Sequence, residues 1–426
     1  MSEFRPVLPE NHESRRRRSN IRKLAAGIVI VGAAFAFAYF AYSGFSEREP
    51  QSVQSKAMLA RSETYGKAVQ PGIWPPGYPL VLLLGRKAGL PPRTTNLLLF
   101  YSALLFLGIL YRQVFPESNP LWALLLYASC GFNYYNLSQF TSEAVVVPLA
   151  LCAFTLLLLY FKKRTYPFLL GLSLCCAAVF ISRYQTLAWL LPLFGAHLLF
   201  SLRKFNRLSL LHVATFGLIA LVPVAIVMRA NYRTNGHLTG MPRVGYDIRR
   251  LPDNLKLYPE MTGLDDNIRL TVQTLFVDFL SPRALATHEV NQSAYRLSWP
   301  EWGVALILAL AVGIAAFYFF RERVRLKHRP TPGKPGLRRE VSPGFLLGEF
   351  FVAYVVITVI LWSVGNNDPI YSRFLYPSYP FLILWGFAGY SFVKKRSSST
   401  PAVLPFILLY LSIISINLYK IGPYLK

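Results

Sequence analysis

Apolar residues in this chain come in long unbroken runs, not in a strand-like alternation. A helix needs roughly 20 apolar residues to cross a bilayer core. A window of that length predicts eleven spans, at 24–44, 94–111, 119–137, 143–161, 166–182, 185–202, 208–228, 302–320, 346–364, 374–392 and 401–419. Only Ser182, Arg183 and Tyr184 separate 166–182 from 185–202, so these are either two spans or one broken element. The stretch 78–90 is too short to span and reads as a re-entrant or interfacial piece. The first run has a long basic flank, a long apolar core and no clear small-residue cleavage site, so it is expected to be a retained span, not a signal peptide. The expected fold is an all-α polytopic membrane protein. A basic cytoplasmic N-terminus (1–23) precedes one integral-membrane domain (24–426), with a large outward loop at 229–300 and a cytoplasmic linker at 321–345.

Composition agrees. The chain is 54% hydrophobic and only 15% charged, against about 25% charged for a soluble domain. This excludes a disordered chain and a disulfide-stapled mini-domain. Lys and Arg number 45 against 20 Asp and Glu, a net charge of +25. In a soluble protein that surplus would point to nucleic acid. Here it follows topology, because cytoplasmic loops of membrane proteins concentrate Lys and Arg. With RRRRSNIRK (15–23) inside, the inward segments also include FKKR (161–164), LRKFNR (202–207), the basic stretch 321–340 and VKKR (393–396). Inward segments carry 25 Lys and Arg, and the three short outward loops carry two, Arg183 and Arg373. Nucleic acid is therefore not an expected partner, and membrane lipids are. The four cysteines, Cys130, Cys152, Cys175 and Cys176, sit in apolar surroundings, which argues against a structural disulfide or a zinc site. No haem-attachment motif, Walker A loop or HExxH motif is present, and no metal or other cofactor is expected.

The unusual polar residues then map to the outward side. The first outward loop holds Glu47, Glu49, Glu63 and the run GIWPPGYP (72–79). The second holds Asn133, Tyr134, Tyr135, Asn136, Gln139, Ser142 and Glu143. Ser182, Arg183, Tyr184 and Gln185 form the third, and GNNDPIYSR (365–373) the fifth. In the large fourth loop, Ile268, Val272, Leu275, Phe276 and Phe279 recur at helical spacing, which predicts an amphipathic helix over 264–280. Asp265 and Asp266 lie near its N-terminus, where carboxylates favour the helix dipole. Residues 53–66 are a weaker candidate of the same kind. Simple structural readings stand beside the functional ones. WPPGYP can be a rigid turn. Glu143 opens a span and can cap it. Arg183 and Arg373 can snorkel to headgroups. His237 and His288 lack ligand spacing. Asn136 and Asn291 match the glycosylation acceptor pattern, which matters only in a eukaryotic lumen.

Four patches carry a resemblance. A long first outward loop leads to PPGYPL (75–80), and a later span opens with Ser142-Glu143. AAVFISRYQTLAWLLPL (177–193) is a small-residue span ending in an Arg-aromatic step before a Pro-containing span. SRFLYPSYPFLILW (372–385) places Arg373, Pro377 and Pro380 in an RY-x-x-P-x-x-P-F-L-like segment. Together these resemble the polyprenyl-phosphate-sugar glycosyltransferases of the GT-C fold, which include protein O-mannosyltransferases and lipid A aminoarabinose transferases. One departure stands out. Such enzymes carry an acid soon after the first span, and here Gln51 or Ser52 falls at that position. The nearest carboxylates are Glu47 and Glu49.

The resemblance implies transfer of a sugar from a polyprenyl-phosphate donor to an acceptor (protein, lipid or glycan) outside the membrane. Arg373 and Arg183 would hold the donor phosphate and offset the charge that builds on it as it leaves. Glu49 is the first candidate for general base, followed by Glu47 and Glu143. Trp74 and Tyr78, with Tyr184 and Tyr371 beside the arginines, would offer faces for sugar or isoprenoid. No metal is demanded, because phosphate is a competent leaving group. The expected location is a bacterial inner membrane with the site facing out, and the alternative is the endoplasmic reticulum with the site facing the lumen. Two other readings remain: a non-catalytic homologue, and a lipid-sugar flippase or transporter. Neither a two-fold repeat nor a mid-membrane ionisable residue is evident in the sequence, which favours surface chemistry over transport.

Overall fold

The computed structural model describes residues 53–64, 75–116, 118–130, 133, 140–201, 207–236, 347–356, 358 and 376–396, with isolated positions in 24–44 and 401–419. The expected span 302–320, the amphipathic helix at 264–280 and both Asn-x-Ser sites lie outside the described residues. So do the linker 321–345 and most of 229–300. The described residues form helices and no strands.

We number the helices α1 (Val53–Thr64), α2 (Gly77–Lys87), α3 (Pro92–Val114), α4 (Leu121–Ser129), α5 (Glu143–Lys163), α6 (Tyr166–Ser182), α7 (Leu187–Ser201), α8 (Arg207–Asn235), α9 (Leu347–Val356) and α10 (Tyr379–Arg396). Short 3₁₀ turns at Tyr184–Thr186 and Tyr376–Ser378 precede α7 and α10. Among the described residues, three helices are long and apolar enough to cross a membrane: α3, α5 and the Leu210–Thr234 portion of α8. Helices α6 and α9 are shorter and apolar.

Helix α5 is the centre of the bundle. It packs along α3 and α6, and α6 packs along α8. Phe154, near the middle of α5, meets three other helices through its ring. Its centroid lies 4.9 Å from Phe194 of α7, 4.2 Å from Phe350 of α9 and 4.8 Å from Phe381 of α10. The outer helices expose apolar faces instead. Leu98, Leu105 and Ile109 of α3, and Leu210, Leu218, Val222 and Ile226 of α8, are exposed. A water-soluble fold does not display whole helix faces of this kind, whereas lipid solvates them.

Sequence signals set the ends. Pro92 opens α3 at the first helical position, where its missing N–H costs nothing. Arg164 closes α5 in the left-handed conformation (φ 56°), and its N–H donates to the Tyr160 carbonyl at 2.7 Å. Its guanidinium lies over the Tyr160 and Phe161 rings. The piece 78–90 is helix α2, eleven residues long and too short to span, as expected. The run 119–137 is not one unbroken helix. Helix α4 ends at Ser129 with Cys130 extended (ψ 115°), and Ser129 Oγ donates to the Leu126 carbonyl at 3.0 Å. Such local side-chain bonds compete with continued helix. The stretch 166–202 is two helices hinged at Arg183, whose backbone is extended (φ −157°, ψ 104°).

Candidate functional site at one end of the bundle

The first turn of α5 and the break between α6 and α7 meet at one end of the bundle. Arg183 Nη1 donates to Glu143 Oε1 at 2.7 Å. Both side chains are buried, with relative exposures of 8% and 3%. Ser142 Oγ donates to the other carboxylate oxygen at 3.3 Å. Tyr354 of α9 is fully buried within electrostatic reach of both charges. An ion pair this deep is kept by its hydrogen bonds, and losing either partner strands a buried charge. The opposite end of α5 carries Lys162, Lys163 and Arg164, so the two ends of the bundle differ in chemistry.

The proline-glycine run reaches the same end. Gly77 begins α2 so close to α6 that a Cβ on it would lie 2.3 Å from Ser182 Oγ, 2.7 Å from Ser182 Cα and 2.8 Å from Ser182 N. Glycine is required there by contact with backbone, one residue before Arg183. Tyr78 follows, fully buried, and its hydroxyl donates to Asn96 Oδ1 of α3 at 2.6 Å. At the far end of α2, Arg86 pairs with Glu63 of α1 at 3.0 Å on the surface. The α1–α2 pair is thus pinned to the α6 terminus at one side and to itself at the other.

A second polar cluster lies beside the pair. Tyr376 donates to Asn133 Oδ1, and Asn133 Nδ2 donates to the Tyr127 carbonyl. The Tyr127 and Tyr376 hydroxyls are 2.7 Å apart. Since Tyr376 spends its one proton on Asn133, Tyr127 is the donor between the phenols. The ring of bonds closes on Tyr127 and holds the 376–378 turn against α4.

Of the residues singled out in the sequence, Glu143 and Arg183 are paired and Tyr78 is buried nearby. Tyr184 is half-buried, and its hydroxyl accepts from Asn231 of α8 at 3.1 Å. Glu47, Glu49, Trp74, Tyr371 and Arg373 lie outside the described residues. Glu143 was a candidate base, and the structure shows its carboxylate committed to Arg183. Sequence reasoning missed Tyr354, Asn96, Tyr127 and Tyr376. Asn96 carried a signal as a polar residue inside an apolar run, whereas the tyrosines resembled ordinary core aromatics.

Two ionisable residues inside predicted spans also meet. His197 Nε2 of α7 lies 2.8 Å from Glu349 Oε2 of α9. Phe194 and Phe350 pack on Phe154 near the midpoint of α5. His197 is one turn past Phe194 and Glu349 precedes Phe350, so the pair lies toward the inward ends of the predicted spans 185–202 and 346–364. Each residue was lost in its own apolar run, because their pairing depends on contact between helices distant in sequence.

The described residues define an all-helical, polytopic membrane protein with a buried polar site at one end of its bundle. In overall arrangement it is similar to ArnT from Cupriavidus metallidurans, solved bound to undecaprenyl phosphate, with a TM-score of 0.53 and 12% identity over 87% of this chain and 61% of that chain. The apo structure of the same protein gives a TM-score of 0.47 and 12% identity over 88% and 60% of the two chains. This chain therefore spans about three fifths of the length of ArnT. The likeness shows that the two chains share a fold. No family model matches the chain, and no curated protein matches it in sequence.

Proposed function

We propose that the chain is a membrane glycosyltransferase that moves a sugar from a polyprenyl-phosphate donor to an acceptor at the outer face of a bacterial inner membrane. The observation that carries this reading is the buried Arg183–Glu143 pair, set where α2, α5 and α6 meet in a fold shared with a protein solved holding undecaprenyl phosphate. The donor's isoprenoid tail stays among the lipids and its phosphate lies at headgroup depth. Arg183 contributes a fixed guanidinium there, and Arg373 contributes the second. A fixed cation stabilises charge developing on the leaving phosphate without reorganising during the reaction. Glu143 orients Arg183, and the base is Glu49 or Glu47 of the first outward loop. A base must reach the acceptor hydroxyl or amine at about 3 Å, and a carboxylate already bonded to an arginine serves that role poorly.

The direct test is single-turnover sugar transfer alongside donor binding. Glu49→Gln is expected to abolish transfer and keep donor binding. Full turnover in both Glu49→Gln and Glu47→Gln would reject a first-loop base. One observation favours a second reading, a lipid-sugar flippase: His197 and Glu349 pair inside predicted spans, and ionisable residues within spans mark transport pathways. A flippase would move the lipid-linked sugar intact, whereas a transferase releases free polyprenyl phosphate.

A further inference from the structure

Leu211, Leu218, Val222 and Ile226 of α8 are exposed, and so are Arg229 and Arg233. Successive members of this set are 7, 4, 4, 3 and 4 residues apart, the spacing of a single helix face. One stripe therefore runs from apolar side chains into two arginines. Asn231 lies between the arginines in sequence and on the opposite side of the helix, since two residues turn the chain by about 200°. Its amide donates to the Tyr184 hydroxyl at 3.1 Å. That bond holds the arginine end of α8 at the Arg183–Glu143 end of the bundle, and it leaves Arg229 and Arg233 on the far side of α8 from Tyr184. Among the described residues the ion pairs use Arg86, Arg183 and His197, and none uses Arg229 or Arg233. Like charges one turn apart on a helix repel, and this is the predicted outward end, where basic residues run against the topological bias.

We propose that the stripe seats an anionic phospholipid, with its phosphate between Arg229 and Arg233 and its acyl chains along Leu218, Val222 and Ile226. Leu218 lies eleven residues before Arg229, about 16 Å along the axis at 1.5 Å per residue. That is about half of a bilayer core of about 30 Å, the depth of one leaflet. An anion between the arginines removes their repulsion, and each planar guanidinium offers paired N–H donors to phosphate oxygens. A zwitterionic headgroup brings its own cation to the same place and gains less. The seat lies on the far side of α8 from the Arg183–Glu143 pair and is independent of the proposed transfer reaction.

The test is native mass spectrometry of the purified full-length protein, released from micelles that carry equal amounts of phosphatidylglycerol and phosphatidylcholine with the same acyl chains. The wild type should retain phosphatidylglycerol several-fold over phosphatidylcholine. Arg229→Gln combined with Arg233→Gln should lose most of that preference. Lys162→Gln combined with Lys163→Gln, at the opposite end of the bundle, should lose little of it. Arginines that serve only to balance the negative end of the α8 dipole would give no such selectivity. A wild type without the preference, an arginine double variant that keeps it, or an equal loss in the lysine double variant overturns the proposal.

Discussion

At Gly77 the constraint is steric, and it comes from the backbone of Ser182 as well as from its hydroxyl. A Gly77→Ala side chain cannot be accommodated by turning Ser182 Oγ aside, since Cα and N also lie within 3 Å. Overpacking of this kind costs about 1–3 kcal/mol. Gly77→Ala should therefore lower the unfolding temperature and weaken donor binding together, because Arg183 follows Ser182. Adding Ser182→Gly should not rescue it. Full rescue would mean that the approach of α2 to α6 is looser than the structure has it. The Arg183–Glu143 pair gives a second expectation. Each single alanine variant strands a buried charge and should destabilise by about 3–5 kcal/mol. The double variant should cost less than the sum, which a double-mutant cycle of thermal or denaturant unfolding would read directly. Strict additivity would place the two side chains apart.

Between helices, the His197–Glu349 contact ties α7 to α9, and α9 carries Tyr354 to the site. Interhelical hydrogen bonds in membranes contribute about 0.6 kcal/mol on average and up to about 1.7. His197→Leu should destabilise by roughly that upper amount, since Glu349 then lacks this partner. Replacing both by Leu should recover part of the loss. If His197→Leu is neutral, the pair contributes nothing to the packing of α9. How far elements could be read from sequence follows from the same physics. Helices α3, α5 and α8 declared themselves, because a span facing lipid on one side must be apolar along its whole length. The break at Arg183 showed as a charged residue between two apolar runs. The early end of α4 did not show. Cys130 is no more polar than a span, polar residues begin only at Asn133, and the departure rests on local bonds at Ser129 and Asn133. The meeting of Glu143 with Arg183 was half legible. Both lay at outward ends of spans, but nothing in a linear chain says which ends touch.

Across the whole molecule, the distribution of positive charge predicts orientation, and lipid depth limits where chemistry can occur. The 25-to-two distribution of Lys and Arg predicts that residues 321–340 face the cytoplasm and 229–300 face outward. In a variant with Cys130, Cys152, Cys175 and Cys176 replaced, an impermeant thiol reagent applied outside should label a cysteine at Gly263. It should miss one at Gly333. The reverse pattern would move the Arg183–Glu143 end to the cytoplasmic side. In the proposed reaction this end of the bundle splits a polyprenyl-phosphate sugar. The most direct measurement is incubation of purified protein with a polyprenyl-phosphate sugar and a candidate acceptor, followed by assay of free polyprenyl phosphate. Release by the wild type, and its loss in Arg183→Lys, is the predicted result, because a point charge cannot replace the planar fork held by Glu143. Release unchanged in Arg183→Lys, or donor carried across vesicles intact with no phosphate freed, would contradict it.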